Sequence, residues 1–271
     1  MSLASERLLR PLFKLLMLLL VAVLSLQLYF VGRIALMTVF AAESTAFQRS
    51  EIVRVVNTTG ALKWRQSWVP YAQISVNLKR AVITSEDASF TEHDGLDLEA
   101  LEKAWGKNTV AEQRAQKQAD RIAAEYARQQ KGKQKSSAPA PLKLVAQAPK
   151  IVGGSTITQQ LAKNLFLSGE RTLLRKGEEL VLTLLLEAML DKQRILEIYL
   201  NNVEWGEGIF GAEAAAQHYF RKPAARLSPY EAARLAVMLP RPRYFETRPN
   251  SEYLASRANT IVARMGGVVV P

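Results

Sequence analysis

A long uncharged segment near the N-terminus constrains the fold of this chain most. Residues 15–32 are eighteen consecutive residues without a charged side chain, and the apolar character resumes after Arg33 and continues to Phe40. About 20 apolar helical residues span the hydrocarbon core of a bilayer, whereas the apolar region of a cleaved signal peptide has only about 7–15. The sequence therefore predicts an uncleaved transmembrane signal anchor over residues 15–40, preceded by a short segment, residues 1–14.

Basic residues before the anchor predict its orientation. Arg7, Arg10 and Lys14 flank its N-terminal end, so the positive-inside rule places residues 1–14 in the cytoplasm. Residues 41–271 then form a domain on the other side, which for a single-pass protein of a bacterial inner membrane is the periplasm. The chain contains no cysteine, so this domain gains no disulfide in an oxidising compartment and must fold on its apolar core.

The distribution of charge argues against a nucleic-acid partner. Of the net charge of +11, residues 1–40 carry +3 and residues 108–150 carry +6, which leaves only +2 for the rest of the chain. Residues 108–150 are rich in Ala, Gln, Lys and Arg and then turn into a Ser/Pro/Ala segment that lacks the apolar residues to order itself. We interpret them as a flexible basic insert whose first part is a solvated helix, available to anionic lipid headgroups or an acidic partner.

Outside the anchor and the insert, the pattern is that of a mainly α-helical domain. Strand signals are few, and helix starts are well marked. Thr156 with Gln159 and Ser228 with Glu231 fit capping boxes, and Asp97 precedes a further helix as its expected N-cap.

Two patterns concern the interior of this domain. The helix predicted from residue 173 has a strong apolar face but is too short and too charged to span a membrane, so we expect it to be the central core helix. That face consists of Leu173, Leu180, Val181, Leu184, Leu185 and Ala188. Residues 206–211 match the dinucleotide-binding pattern GxGxxG, but a predicted helix precedes them and no βαβ unit surrounds them. We expect a tight loop there, at which the backbone approaches another element.

The first chemistry-bearing segment is SEDASFTEHDG, residues 85–95. Glu86 falls one helical turn after Val82, close to an apolar face. A carboxylate in that position is partly desolvated, which raises its pKa and suits it to proton transfer. Asp87, Phe90 and His93 follow it. The alternative, which the segment alone favours equally, is a purely structural one: an acid at the end of a helix beside a packed phenylalanine.

The second segment is GGSTITQQLAKN, residues 153–164. Glycines followed by Ser155 and Thr156 at a helix start present free backbone N–H groups and hydroxyls to an anion or a sugar. Gln159, Gln160 and Lys163 follow within two turns, which favours contact with a ligand. The alternative is an ordinary capped helix with a polar outer face.

The third segment is RTLLRKGEE, residues 171–179. Arg171, Arg175 and Glu179 are spaced i, i+4, i+8 and share one helical stripe. Arginine pairs with phosphate oxygens in a bidentate manner, so this stripe fits a pyrophosphate site beside a carboxylate. A ladder of surface salt bridges, each contributing about 0.3–0.5 kcal/mol, is the structural alternative.

Four motifs in this order resemble glycosyltransferase family 51, the peptidoglycan glycosyltransferases that polymerise lipid II. They are EDxxFxxHxG (residues 86–95), GGSTITQQLAKN (153–164), RKxxE (175–179) and KxxILEIYLN (192–201). The resemblance covers about residues 65–245. It implies a mainly α, lysozyme-like glycosyltransferase domain, and because SxxK and KTG motifs are missing, it resembles the monofunctional members, which lack a transpeptidase domain.

The resemblance also implies roles for residues and partners. Glu86 corresponds to the general base that deprotonates the acceptor hydroxyl, and Glu179 corresponds to a second carboxylate near the leaving group or a divalent ion, Mg or Mn. The resemblance does not make that ion obligatory. The substrate-binding residues it implies are Asp87, Phe90, His93, Ser155, Thr156, Gln159, Gln160, Lys163, Asn164, Arg171, Arg175 and Lys176. The implied partners are lipid II, the lipid-linked nascent glycan, inner-membrane lipids and cell-wall synthesis or division proteins. The reaction forms a β-1,4 bond with inversion and releases undecaprenyl pyrophosphate.

Two other functions compete with this one. A lytic, lysozyme-like enzyme also uses an acid in a helical cleft, but it has no use for cations around a pyrophosphate. A membrane-anchored scaffold of the wall-synthesis machinery makes no prediction about Glu86.

Overall fold

The computed structural model describes residues 3–42, 44–132, 154–167 and 172–271. They fall into two compact units, one formed by Met1–Leu96 with Thr156–Pro271 and the other by Asp97–Ser155. The helices are α1 (Leu3–Met37), α2 (Ala46–Thr59), α3 (Val76–Glu86), α4 (Leu98–Gly132), α5 (Ile157–Phe166), α6 (Leu173–Met189), α7 (Lys192–Asn202), α8 (Ala212–Phe220), α9 (Pro229–Met238), α10 (Pro242–Glu246) and α11 (Glu252–Arg264). Three short strands, β1 (Arg65–Gln66), β2 (Glu204–Gly206) and β3 (Ile209–Phe210), form a sheet in which β3 pairs parallel with β1 and antiparallel with β2. The mainly α prediction is confirmed.

The second unit is built on one long helix, α4. The Asp97 carboxylate accepts a hydrogen bond from the backbone N–H of Ala100 at 2.7 Å, which confirms the predicted N-cap. The helix continues without a break through residue 108 to Gly132, so the first part of the predicted insert is helical, as expected. The Ser/Pro/Ala segment lies outside the described residues.

The N-terminal apolar segment forms one continuous helix, α1. Its part from Arg10 to Met37 is long and apolar enough to cross a membrane. Most of its side chains are exposed, but Phe30, Ile34 and Met37 are buried in the core of the first unit. Arg194 holds this end by donating to the carbonyl oxygens of Met37 and Phe40, both at 2.7 Å. The last two turns of α1 therefore belong to the domain as well as to the candidate membrane span.

The centre of the first unit is α7. Every residue from Ile195 to Asn202 is buried. The segment that leads into α3 satisfies two of the buried polar side chains: Asn201 exchanges two hydrogen bonds with the backbone of Val69, at 2.9 and 3.0 Å, and Glu197 accepts one from the N–H of Tyr71 at 3.1 Å. The KxxILEIYLN motif thus forms a buried helix, which packs against α5, α6 and α8.

The prediction that α6 is the central core helix was wrong. Its fully buried leucines are Leu182 and Leu186, whereas Leu180, Val181 and Leu184 are 40%, 43% and 47% exposed. The buried side of α6 also carries Glu179 and Thr183, which are buried because they are bonded within the protein. Because polar residues lie on the buried face, the periodicity of the apolar residues alone predicted the wrong face as buried. The α6 helix packs against α1 and α5.

The loop at residues 206–211 is as tight as the sequence predicted. Gly208 and Gly211 have φ angles of +72° and +84°. A Cβ atom on Gly208 would lie 2.1 Å from the carbonyl oxygen of Lys63, and one on Gly211 would lie 2.6 Å from that of Asn201. The glycines let the backbone approach these elements, and the loop joins β2 to β3 rather than a strand to a helix.

Candidate active site

Glu86 is the last residue of α3 and is held at the edge of the core. Leu78, Ala81 and Val82 on the same helix are fully buried, so the end of the helix, with its half-buried carboxylate, is fixed in place. One carboxylate oxygen accepts a hydrogen bond from Gln160 Nε2 at 3.0 Å and the other from the Ser85 hydroxyl at 3.3 Å. Burial raises the pKa of Glu86, the two hydrogen bonds lower it, and the neighbouring Asp87 charge raises it. The net rise in pKa makes Glu86 a stronger proton acceptor than an ordinary surface carboxylate.

Gln160 connects Glu86 to a buried tyrosine. Its amide oxygen accepts a hydrogen bond at 2.9 Å from the hydroxyl of Tyr199 on α7. Burial, together with the charges of Glu86 and Asp87, raises the pKa of Tyr199 well above its usual range, so the hydroxyl remains a donor. Sequence reasoning missed Tyr199, although it lies inside the KxxILEIYLN motif.

Asp87 and His93 tie the segment after α3 to the start of α5. The buried Asp87 carboxylate accepts the N–H of Ile157, the first residue of α5, at 3.0 Å, and its other oxygen lies 2.9 Å from His93 Nε2. His93 Nδ1 accepts the N–H of Gly95 at 3.2 Å. Because Nδ1 accepts, Nε2 carries the proton and donates it to Asp87.

The start of α5 is capped as the sequence predicted. Thr156 and Gln159 form a capping box, with bonds of 3.0 and 3.2 Å, and the Thr156 hydroxyl also donates to the carbonyl oxygen of Gly95 at 2.7 Å. Gly95 has a φ of +84°, and a Cβ atom there would lie 2.7 Å from Thr183 Cγ2 and 2.9 Å from Glu187 Cγ. Thr156 and Gln159 are therefore engaged within the protein, and Gly95 allows the motif segment to lie directly on α6.

A second ionic cluster lies beneath this segment. Glu187 accepts hydrogen bonds from the Thr158 hydroxyl at 2.6 Å and from Lys192 Nζ at 2.8 Å. Lys192 also donates to the carbonyl oxygen of His93 at 2.5 Å, and its ammonium group lies 4.7 Å from the ring centroid of Phe90. Phe90 is fully buried, so it packs under the site rather than lining its surface. No motif or spacing in the sequence pointed to Glu187.

Two members of the predicted cation–carboxylate stripe, Arg175 and Glu179, lie on α6. Glu179 is only 4% exposed, and it pairs with Lys176 and, at 3.6 Å, with the guanidinium of Arg175. Arg175 Nε is buried, and among the residues that the structure describes none accepts a hydrogen bond from it. Such a donor is what an incoming anion would satisfy. The stripe continues along the same side of α6 through Thr183 to Glu187, which contacts α5.

A cleft of about 440 Å³ opens between α1, the end of α5 and the start of α6. Its lining combines apolar side chains with charged ones: Leu26, Phe30, Phe166, Leu167, Thr172, Leu174, Arg175 and Glu178. The rings of Phe30 and Phe166 meet edge to face, with centroids 5.2 Å apart. Gln160, at the other end of α5, is six residues from Phe166, or about 9 Å along the helix axis. One short helix thus connects the Glu86 carboxylate to a cleft suited to an amphiphilic anion.

The remaining predicted residues are placed as follows. Lys163 is exposed and Asn164 half-buried, both on the part of α5 between Gln160 and the cleft. Ser155 is exposed and belongs to the second unit. Arg171 and Gly153 lie outside the described residues.

The fold and the site define a class of mainly helical proteins in which a desolvated carboxylate lies near cations and an apolar cleft. The family model described as Transglycosylase, a lysozyme-like helical fold, matches residues 53–139 and 133–266, two segments that overlap inside the predicted insert. The chain belongs to this transglycosylase family.

Similar proteins are closely related over nearly the whole chain. The chain is 47% identical to a biosynthetic peptidoglycan transglycosylase of Burkholderia thailandensis over 248 residues, which cover 92% of this chain and 83% of the relative. It is 45% identical to the protein of the same description from Herminiimonas arsenicoxydans over 260 residues, covering 96% and 97% of the two chains.

Proposed function

We propose that this protein is a peptidoglycan glycosyltransferase that polymerises lipid II, forming β-1,4-linked glycan with inversion and releasing undecaprenyl pyrophosphate. One observation carries the proposal: α5 joins the desolvated Glu86 carboxylate to a cleft lined by apolar residues and by Arg175, whose buried Nε has no acceptor among the described residues. The family and the descriptions of the similar proteins support the same activity.

Glu86 acts as the general base. It accepts the proton of the acceptor 4-hydroxyl while that oxygen attacks C1 of the donor sugar from the face opposite the pyrophosphate. General-base catalysis typically contributes roughly 10²–10⁴-fold to the rate. The raised pKa of Glu86 increases its affinity for the transferred proton.

Cations near the cleft stabilise the departing pyrophosphate. Arg175 offers its Nε, to which no described residue is bonded, and Lys163 lies on α5 between Gln160 and the cleft. Fixed cations stabilise the negative charge that develops on a leaving group without reorganisation. Glu179 holds Arg175 and Lys176 in position through its ion pairs.

Several predicted substrate-binding residues have a supporting role instead. Asp87, Phe90, His93, Thr156 and Gln159 use their polar atoms, or in the case of Phe90 its whole ring, within the protein. They fix the segment after Glu86 against α5, which keeps the base and Gln160 in register.

Polymerisation of purified lipid II by three full-length proteins tests this function. The wild type should polymerise lipid II, and Glu86→Gln should lose about 100-fold or more of the rate because the amide does not accept the proton. Glu92→Gln is the matched control, since Glu92 is an exposed carboxylate in the same segment. An active Glu86→Gln variant refutes the assignment, and shortening of preformed glycan by the wild type favours the lytic alternative.

We also propose that α1 crosses the inner membrane with the N-terminus in the cytoplasm and the catalytic unit in the periplasm. Because the chain has no cysteine, single-thiol variants report topology directly. In cells whose outer membrane is permeabilised, an impermeant maleimide should label Ser256→Cys and should label Ser5→Cys only after lysis. The reverse pattern contradicts the orientation.

The exposed apolar face of α6 points to lipid contact beside the anchor. Leu174 is 88% exposed, and Val181 and Leu184 lie further along the same helix, which packs against α1. A nitroxide attached to Leu184→Cys should be more accessible to lipid-soluble oxygen than one on Gln217→Cys, an exposed control position on α8. Equal accessibility at the two positions argues against contact between α6 and the bilayer.

The basic insert is proposed to bind anionic lipid or a protein of the wall-synthesis machinery, on the basis of its charge of +6 over residues 108–150. Deletion of residues 110–147 should weaken membrane association or partner recruitment. If polymerisation and membrane affinity are both unchanged after the deletion, this role is refuted.

A further inference from the structure

We propose that Tyr199 is a positioning residue, which fixes the side-chain amide of Gln160 so that its NH2 group, and not its carbonyl oxygen, faces Glu86. The inference rests on the proposed function, because it treats Glu86 as the base. Neither the motifs nor the descriptions of the similar proteins assign a role to Tyr199.

The hydrogen-bond chain has one direction. The Tyr199 hydroxyl donates to Gln160 Oε1 at 2.9 Å, and Gln160 Nε2 donates to Glu86 Oε2 at 3.0 Å. Tyr199 is 1% exposed, so its hydroxyl has no bulk water to turn to. A tyrosine that stays protonated has one O–H to donate, and here the acceptor is the amide carbonyl oxygen.

In the opposite orientation, the carbonyl oxygen of Gln160 loses the hydrogen bond that it accepts from Tyr199. If the amide rotated by half a turn, its carbonyl oxygen would face the Glu86 carboxylate, and two acceptors would meet unless Glu86 carried a proton. The rotated amide would therefore favour the protonated, inactive form of the base. By donating to the carbonyl, Tyr199 favours the orientation that stabilises the deprotonated, active form.

Few groups around Glu86 stabilise its charged form, so the hydrogen bond from Gln160 has a measurable effect on the pKa of Glu86. Asp87, directly after α3, disfavours the charged form of Glu86, as does burial. Ser85 of α3 and Gln160 of α5 are neutral donors that favour it, and α7 contributes Tyr199. Loss of the Gln160 donor removes one of two interactions that oppose the upward shift.

The test is the pH dependence of lipid II polymerisation by Tyr199→Phe. Since one pKa unit corresponds to a tenfold change in the protonation equilibrium, we expect the acid limb of kcat to move to higher pH by about one unit. Below the limb kcat should fall roughly tenfold, and at high pH the variant should approach the wild type, because the base is then deprotonated in both. KM should change by less than about twofold, since a fully buried hydroxyl does not touch the substrate.

Tyr219→Phe is the matched control. Its hydroxyl, half-buried in α8, donates to the carbonyl oxygen of Trp205 at 2.7 Å. This variant loses one tyrosine hydrogen bond of the same kind, and its acid limb should stay in place. A Tyr199→Phe enzyme whose activity is scaled equally at every pH, with an unmoved limb, overturns the inference in favour of a purely structural role.

A double-mutant cycle with Gln160→Met tests whether Tyr199 acts through Gln160. Methionine keeps the length of the side chain but removes the amide, so Gln160→Met should itself move the acid limb upward by at least as much as Tyr199→Phe. Adding Tyr199→Phe to it should change kcat by less than about twofold, because residues that act as a unit are not additive. An unmoved limb in Gln160→Met, or a second tenfold loss in the double variant, overturns the inference even if Tyr199→Phe fails to fold.

Failure of this inference is distinguishable from failure of the proposed function. An inactive wild type or an active Glu86→Gln variant refutes the function. An active wild type and an inactive Glu86→Gln, combined with an unmoved acid limb in Tyr199→Phe, refute only the role of Tyr199.

Discussion

Replacing Asp87 by asparagine should destabilise the protein strongly although the two side chains have nearly the same shape. The buried carboxylate accepts two hydrogen bonds, one on each oxygen: the N–H of Ile157 at 3.0 Å and His93 Nε2 at 2.9 Å. His93 has to donate, because its other ring nitrogen accepts from Gly95. Asparagine offers a single acceptor oxygen, so in either orientation its NH2 group faces one of the two donors.

The magnitude follows from this count. A hydrogen bond to a charged group contributes about 1.5–3 kcal/mol, and a buried donor left unsatisfied costs about 1–3 kcal/mol. Allowing for overlap between the two effects, we expect the free energy of unfolding to fall by about 2–4 kcal/mol. In a protein of this size, each kcal/mol lowers Tm by about 2–4 °C, which gives a decrease of about 4–16 °C.

Thermal unfolding of the detergent-solubilised full-length protein, followed by circular dichroism at neutral pH, measures this decrease. Asp94→Asn is the matched control, because Asp94 is an exposed aspartate in the same segment. Its Tm should stay within about 1 °C of the wild type. A Tm for Asp87→Asn within about 2 °C of the control refutes the assignment of Asp87 as a buried double acceptor.

Three further predictions concern the same site. Because the pKa of Glu86 is raised in the folded state, its favourable contribution to stability is present below the ordinary carboxyl pKa and is lost as pH rises through the raised value. Glu86→Gln should therefore raise Tm at neutral pH, and the difference in Tm should vanish near about pH 4. A difference in Tm that does not change across this pH range contradicts the pKa shift. Gly95→Ala should lower the midpoint of urea unfolding far more than Gly60→Ala, since both glycines have positive φ but only Gly95 would bring a Cβ atom within 3 Å of other side chains; equal effects contradict the close packing on α6. Arg175→Lys keeps the charge but loses Nε, and should reduce kcat/KM for lipid II by about tenfold; wild-type kinetics would exclude Arg175 from the pyrophosphate site.

Local features of the fold were predictable because they depend on neighbouring residues. The Thr156–Gln159 and Ser228–Glu231 capping boxes and the Asp97 cap each involve atoms within three residues. Which helix becomes the core depends on partners far away in sequence. The α7 helix carries polar residues whose partners include distant side chains and backbone, such as Gln48 and Val69, so its burial left little trace in the apolar pattern.

The same distinction applies to the candidate site. Motif residues such as Glu86 and Gln160 were recognisable from the sequence, and the structure joins them by a hydrogen bond. Tyr199 is 39 positions from Gln160 along the chain, and its ring in an apolar helix is typical of an ordinary core residue. Only the geometry shows that its hydroxyl is directed at the partner of the base.

The way α1 ends has a consequence for how the enzyme handles a growing polymer. A catalytic domain on a flexible tether would tumble above the membrane and meet its substrate at any angle. Here Phe30, Ile34 and Met37 are core residues, so the domain cannot change its orientation without tilting the helix. With α1 in the bilayer as proposed, the cleft lies at a set depth, and each new glycan segment leaves in a constant direction relative to the membrane plane.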